Sequence, residues 1–123
     1  MKISKLIKSF AFAYNGIKIC FASEINFKIH LCCAMIATTI GLVCNISATE
    51  WMIVIGCIAL VMAMEMMNTA IEKLCNIVSK DFHPTIKIIK DVTAGAVLLG
   101  AIGSLIIGAI IFIPKIFVLI KLL

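Results

Sequence analysis

Hydrophobic and polar residues are not interleaved along this chain; they are segregated into long blocks. Three runs with almost no charge stand out, residues 29–49, 51–71 and 92–113. Each is close to the roughly twenty apolar residues that a helix needs to cross the hydrocarbon core of a bilayer. No stretch alternates apolar and polar positions with a period of two, so the runs predict helices and not barrel strands. Glu65 alone interrupts the second run, and Pro114 closes the third. Ahead of them, residues 4–21 carry Leu6, Phe10, Ala13 and Ile17 at helical spacing, with Lys8, Asn15 and Lys18 elsewhere on the wheel. That pattern predicts a separate amphipathic helix in the headgroup plane. It reads equally as a membrane anchor and as a wall of a lipid-facing site.

The expected architecture is an all-α membrane protein, one domain over residues 1–123, made of an interfacial helix and three transmembrane helices. Composition agrees: 63% of the residues are hydrophobic and 14% charged, where a soluble domain is nearer half apolar. The net charge is +5, with all the basic residues lysine. Too little polar surface remains for a nucleic-acid module, so the charge points to an anionic membrane surface and an anionic substrate. The six cysteines, mostly inside apolar runs, match neither a zinc pattern nor a CxxC redox pair and read as small hydrophobes. Lys2, Lys5 and Lys8 resemble the start of a secretion signal, but the apolar stretch that follows is short, runs into Lys18 and has no clear cleavage site.

Lysine placement predicts orientation. Five lysines precede the first span, none lies in the turn at residues 45–50, four lie between the second and third spans, and two follow the third. Basic loops stay cytoplasmic, which puts the N-terminus and the second loop inside and the C-terminus outside. The third span also carries Ala96, Gly100, Ser104 and Gly108 at intervals of four, a stripe that lets helices approach closely.

The acidic residues carry the candidate chemistry. Glu65 lies inside a span, where an ionisable group is costly unless it has a partner or a function. Asn68 and Glu72 follow at i+3 and i+7, so all three share one helix face that descends about 10 Å toward the cytoplasm. Two carboxylates that far apart on one helix do not share one ion. Glu72 suits Mg²⁺–ATP, deeper Glu65 suits a lipid hydroxyl, and Glu24 just before the first span offers a second metal carboxylate. Lys90 and Asp91 precede the third span; the lysine offsets phosphate charge and the aspartate orients it. Phosphoryl transfer needs mainly positioning and charge neutralisation, and this constellation offers both. Taken singly, Glu24, Lys90 and Asp91 also read as interface residues reaching water. His30 reads as structural, and His83 as either a nucleotide contact or a solvated loop residue.

The run Glu65-Met-Met-Asn68-Thr69-Ala70-Ile71-Glu72 resembles the signature of the prokaryotic diacylglycerol kinase and undecaprenol kinase family. Glu24, Phe82-His83-Pro84, Lys90-Asp91, Ser9-Phe10 and Gly16 extend the resemblance over nearly the whole chain. It implies a multi-pass homotrimer of the bacterial cytoplasmic membrane, with active sites shared between subunits. It implies Glu65 as proton acceptor, with Asn68 supporting the substrate, and Glu24 and Glu72 as Mg²⁺ ligands. It implies ATP contacts from Lys5, Phe12, Glu24, Glu72, Asp81, Phe82, His83, Lys90 and Asp91. Lys5 stands where relatives often have Arg, Phe12 where Tyr is frequent, and Asn76 where Asp is usual, which lowers the local negative charge. The segment from Glu24 to Leu31 is more similar to the undecaprenol branch. The competing class is a non-catalytic small oligomeric membrane protein, such as a holin or a transporter accessory subunit, which does not need this set of polar residues at one level. A lipid phosphatase lacks a visible histidine nucleophile arrangement.

Overall fold

The computed structural model describes residues 2–123 and is entirely helical over its regular elements. The helices are α1 (Lys2–Ser23), α2 (Ile25–Cys44), α3 (Ala48–Val78) and α4 (Pro84–Leu122). The last three are long and apolar enough to cross a bilayer, which fits a membrane protein. Most large apolar side chains are exposed on the isolated chain, as expected where lipid or neighbouring subunits, rather than water, surround the helices.

Each junction has a local cause. Between α1 and α2 only Glu24 leaves the helical region, at φ −108° and ψ 112°. Backbone bonds from Glu24 N to Cys20 O and from Lys28 N to Glu24 O bracket the joint, so it bends the chain without leaving many groups unpaired. Asn45 ends α2 in the left-handed region at φ 52°. Its N–H donates to Leu42 O and that of Ile46 to Gly41 O, which is the Schellman arrangement that satisfies the last carbonyls of a helix. Ser47 then starts α3 with a capping box: its hydroxyl accepts from Glu50 N at 3.2 Å, and Glu50 Oε1 accepts from Ser47 N at 3.0 Å. His83 caps α4, with Pro84 in the first turn, where a missing N–H costs nothing.

The helix boundaries differ from the hydropathy reading: α2 spans Ile25–Cys44 where the apolar run covers residues 29–49, because Asn45 turns the chain before the run ends. α3 runs on to Val78, and α4 begins at Pro84 and continues through Pro114 to Leu122. Hydropathy marks the length that lipid covers, whereas backbone hydrogen bonds continue into polar residues. At Pro114 the chain loses one such bond yet stays helical.

α3 and α4 make the most extensive contact, and α2 lies against both. The apolar core sits near the α2–α3 turn, where Ile46, Val54, Ile111 and Phe112 are buried together beside Trp51. The Trp51 ring lies on Gly41: a Cβ there would come within 2.8 Å of its Cη2. At the same end Lys115 Nζ meets Glu50 Oε1 at 3.1 Å. The small-residue stripe of α4 is only partly a packing seam. Gly100 faces Met64 of α3, 3.1 Å from the sulfur to a notional Cβ, while Ala96 is exposed.

Candidate functional site

The polar site lies at the opposite end of α3 from the core. Along the helix axis Glu65 is about 22 Å from Glu50, and Glu72 about 33 Å. A hydrocarbon layer of about 30 Å with Glu50 at one face therefore contains Glu65 close to its other face and leaves Glu72 at headgroup level. The periodicity that put Glu65, Asn68 and Glu72 on one face is retained, and α3 turns that face inward.

Glu65 is only 2% exposed, Asn68 6% and Thr69 3%. The Thr69 hydroxyl donates to the Glu65 carbonyl at 3.1 Å, which satisfies it within its own helix. Across the helix pair, His30 Nε2 of α2 lies 3.6 Å from Glu65 Oε2. A carboxylate buried this far needs such a partner. Glu72, Glu24 and Cys20 are further ionisable groups near it. Asn68 Nδ2 donates to Glu72 Oε1 at 3.5 Å, and Asn68 Oδ1 is buried with no partner among the described residues. An orphaned acceptor is rare, and here it sits between the two carboxylates in sequence. Glu24 stands at the N-cap of α2, partly exposed; its side chain makes no capping bond, and no ion pair of its carboxylate is seen among the described residues, so it lies available beside the positive end of that helix. Cys20 closes the α1 side near Thr69. Burial, reinforced by the charge of Glu24, pushes its thiol pKa up, so it stays a neutral packing group.

The nucleotide candidates fall into two groups. Lys90 reaches across to α3, where its Nζ donates to Asn76 Oδ1 at 2.7 Å, one turn below Glu72. Asp91 pairs with Lys87 at 2.6 Å. Asp81, Phe82 and His83 lie in the exposed α3–α4 loop, with Phe82 80% exposed. His83 Nδ1 accepts from Thr85 N, which leaves Nε2 to carry the proton in the neutral ring. Lys5 and Phe12 are not brought to this cluster. Both are exposed on α1, and along a straight helix they lie about 28 Å and 18 Å from Glu24. No hydrogen bond or ion pair joins them to Glu24 or Glu72 among the described residues.

Among the described residues no three His, Cys, Asp or Glu side chains cluster as a metal site. The donors still fit a hard cation. Mg²⁺ takes oxygen ligands and is usually held by one or two carboxylates plus substrate phosphates, and the Glu24 carboxylate, Glu72 and the Asn68 side-chain oxygen are of that kind.

An apolar groove of about 630 Å³ runs between α2, α3 and α4, with His30 at one end and Phe112 and Ile113 at the other. Two partnerships escaped the sequence reading, His30 with Glu65 and Asn76 with Lys90. Both join residues far apart in the chain. The ionisable His30 inside an apolar run was the available signal for the first; the second had none.

The profile of the family described as prokaryotic diacylglycerol kinase matches residues 11–112. The chain is 37% identical over 114 residues to an undecaprenol kinase of Bacillus subtilis (strain 168), covering 93% of each chain. It is 34% identical over 110 residues to a diacylglycerol kinase of Synechocystis sp., covering 89% of this chain and 63% of that one. It is 24% identical over 108 residues to a diacylglycerol kinase of Escherichia coli (strain K12), covering 88% of each.

Proposed function

The chain belongs to the prokaryotic diacylglycerol kinase family and is a lipid kinase, and from that premise we propose that it transfers the γ-phosphoryl group of ATP to the primary hydroxyl of a membrane lipid alcohol. The observation that carries the assignment of roles is Glu65, 2% exposed within an apolar span, above Asn68 and Glu72 on one inward face. Glu65 removes the hydroxyl proton as the lipid oxygen attacks the γ-phosphorus. The bond from that phosphorus to the β–γ bridging oxygen breaks, and ADP leaves. Asn68 Oδ1 accepts a hydrogen bond from the approaching substrate, a reading supported by its burial with no partner among the described residues. Glu24 and Glu72 would hold Mg²⁺, which when bound offsets the charge of the phosphates. Lys90, Asp91 and the loop residues Asp81, Phe82 and His83 take the nucleotide.

The apolar groove accepts the hydrocarbon tail. Its polar end is His30, the residue paired with Glu65, so a lipid lying along it brings its hydroxyl to the carboxylate. The α1 helix lies in the headgroup plane, and the N-terminus and α3–α4 loop face the cytoplasm, where ATP is found. Lys5 and Phe12, too far along α1 to join their own Glu24, are supplied to a neighbouring subunit's site in a homotrimer. Undecaprenol is the acceptor to test first, because the relative aligned over 93% of both chains carries that activity in its name.

The test is phosphate transfer by the purified protein, with γ-labelled ATP, Mg²⁺ and either undecaprenol or diacylglycerol in mixed micelles. Labelled lipid from either acceptor supports the reading, and the ratio of the two rates sets the preference. No labelled lipid from either, with the protein folded, overturns it.

A further inference from the structure

The two lysines at the start of α4 are partnered in different ways. Lys87 Nζ lies 2.6 Å from Asp91 Oδ2, one turn along the same helix, so those two charges offset each other. Lys90 points the other way, across the junction to α3, and its Nζ donates to the side-chain amide oxygen of Asn76 at 2.7 Å. No carboxylate pairs with Lys90 among the described residues. Asn76 stands four residues after Glu72 on α3, about 6 Å further along the axis.

The chemistry of the acceptor matters. A carboxylate at that place would orient the ammonium and also cancel its charge. An amide oxygen orients it and leaves the full positive charge in place. An ammonium has three N–H donors; one goes to Asn76, and two remain for other oxygens. Lysine is a compact point charge on a flexible stem, so an anchor that does not neutralise it raises its usefulness to an anionic ligand by cutting the entropy lost on binding.

We propose that Asn76 is a positioning residue for nucleotide binding: it holds the Lys90 ammonium about one helical turn beyond Glu72, with no carboxylate paired to it among the described residues, so that the ammonium meets the phosphates of ATP. This rests on the reading of that end of α3 as the nucleotide site. The alternative is that the Asn76–Lys90 bond merely ties α3 to α4. The two diverge in Asn76→Asp, which keeps the tie, as an ion pair, but compensates the charge.

The experiment is steady-state kinetics of the full chain in mixed micelles, varying Mg²⁺–ATP and lipid alcohol in turn, with thermal midpoints recorded for every variant. For Asn76→Asp the KM for ATP is expected to rise about two- to fivefold, the scale of an exposed ion pair, with the lipid KM and the thermal midpoint unchanged. Lys90→Met, measured in parallel, tests the underlying nucleotide reading and is expected to raise the KM for ATP by at least as much. If Lys90→Met raises it and Asn76→Asp leaves it unchanged, the positioning role of Asn76 is overturned while the nucleotide site stands. If Lys90→Met also leaves it unchanged, the nucleotide reading of this end fails and the role of Asn76 with it. Equal rises in the KM for ATP and for lipid in Asn76→Asp would likewise reject a role specific to the nucleotide.

Discussion

At the scale of single residues, Glu65 and Glu72 are separated by burial as much as by distance. Glu65 is closed off beside His30 and Thr69, whereas Glu72 is partly exposed and hydrogen-bonded through Asn68. A carboxylate shielded from water suits proton transfer with a lipid hydroxyl; one open to the aqueous side suits a hydrated cation. Glu65→Gln keeps the shape and removes the base. We expect kcat to fall by about 10²–10⁴, the usual share of general-base catalysis, with ATP affinity and oligomer mass preserved. Turnover per folded protein, with ATP binding measured separately, checks this, and normal turnover would leave Glu65 as a structural tie. Glu72→Gln should act on the metal instead. An amide oxygen is a poorer ligand for a hard cation, so activity at ordinary Mg²⁺ should be lost and at least partly recovered at raised Mg²⁺. A titration of rate against Mg²⁺ that superimposes on the parent curve would remove Glu72 from the metal site.

At the scale of elements, the end of the bundle away from the site supplies rigidity. In lipid, apolar burial gives little drive to bring helices together, so close packing carries more of the stability. The sharpest instance is Gly41, where the α2 backbone receives the Trp51 ring of α3 with no room for a Cβ. Gly41→Leu should displace Trp51 and disturb the Schellman turn that joins α2 to α3. Overpacking of this kind costs about 1–3 kcal/mol, to be read as a lowered thermal midpoint in detergent; an unchanged midpoint would mean that the ring has another place to go. Gly100 is a milder case, because its neighbour is the flexible end of Met64, which can move aside. The stripe that looked uniform in sequence is therefore unequal in the fold, with Gly100 facing α3 and Ala96 exposed.

At the scale of the whole molecule, charge is distributed between two ends. Glu50 and Lys115 form a pair at one, and the remaining acidic residues and most lysines gather toward the other. With basic segments retained on the cytoplasmic side, a reporter that works only in the cytoplasm should be silent at the C-terminus and active in the α3–α4 loop. Activity at the C-terminus would reject the orientation. The isolated chain also leaves long apolar faces uncovered and Lys5 and Phe12 remote from Glu24. The proposed assembly, in which α1 serves a neighbour's site, would bring Lys5 and Phe12 to a carboxylate pair and cover part of those faces. Native mass measurement of the 13.4 kDa chain in mild detergent is expected to give three copies, and a monomer with full activity would overturn the shared site.

The sequence by itself determined the helical class, the three apolar helices and the candidate Glu65–Asn68–Glu72 face. Helix periodicity and the length needed to cross hydrocarbon act locally, and both can be counted along the chain. It also located a turn at residues 45–50, though the roles of Asn45 and Ser47 in making it, and of Pro84 in starting α4, appear only in the structure. Tertiary structure alone decided which way the polar face of α3 points, that His30 of α2 meets Glu65, and that Lys90 rests on Asn76 while Lys87 takes Asp91. These pairings depend on how helices rotate against one another. That rotation is set by packing across the whole bundle, with Trp51 on Gly41 and Met64 against Gly100 among its contacts, and no periodicity within one segment encodes it.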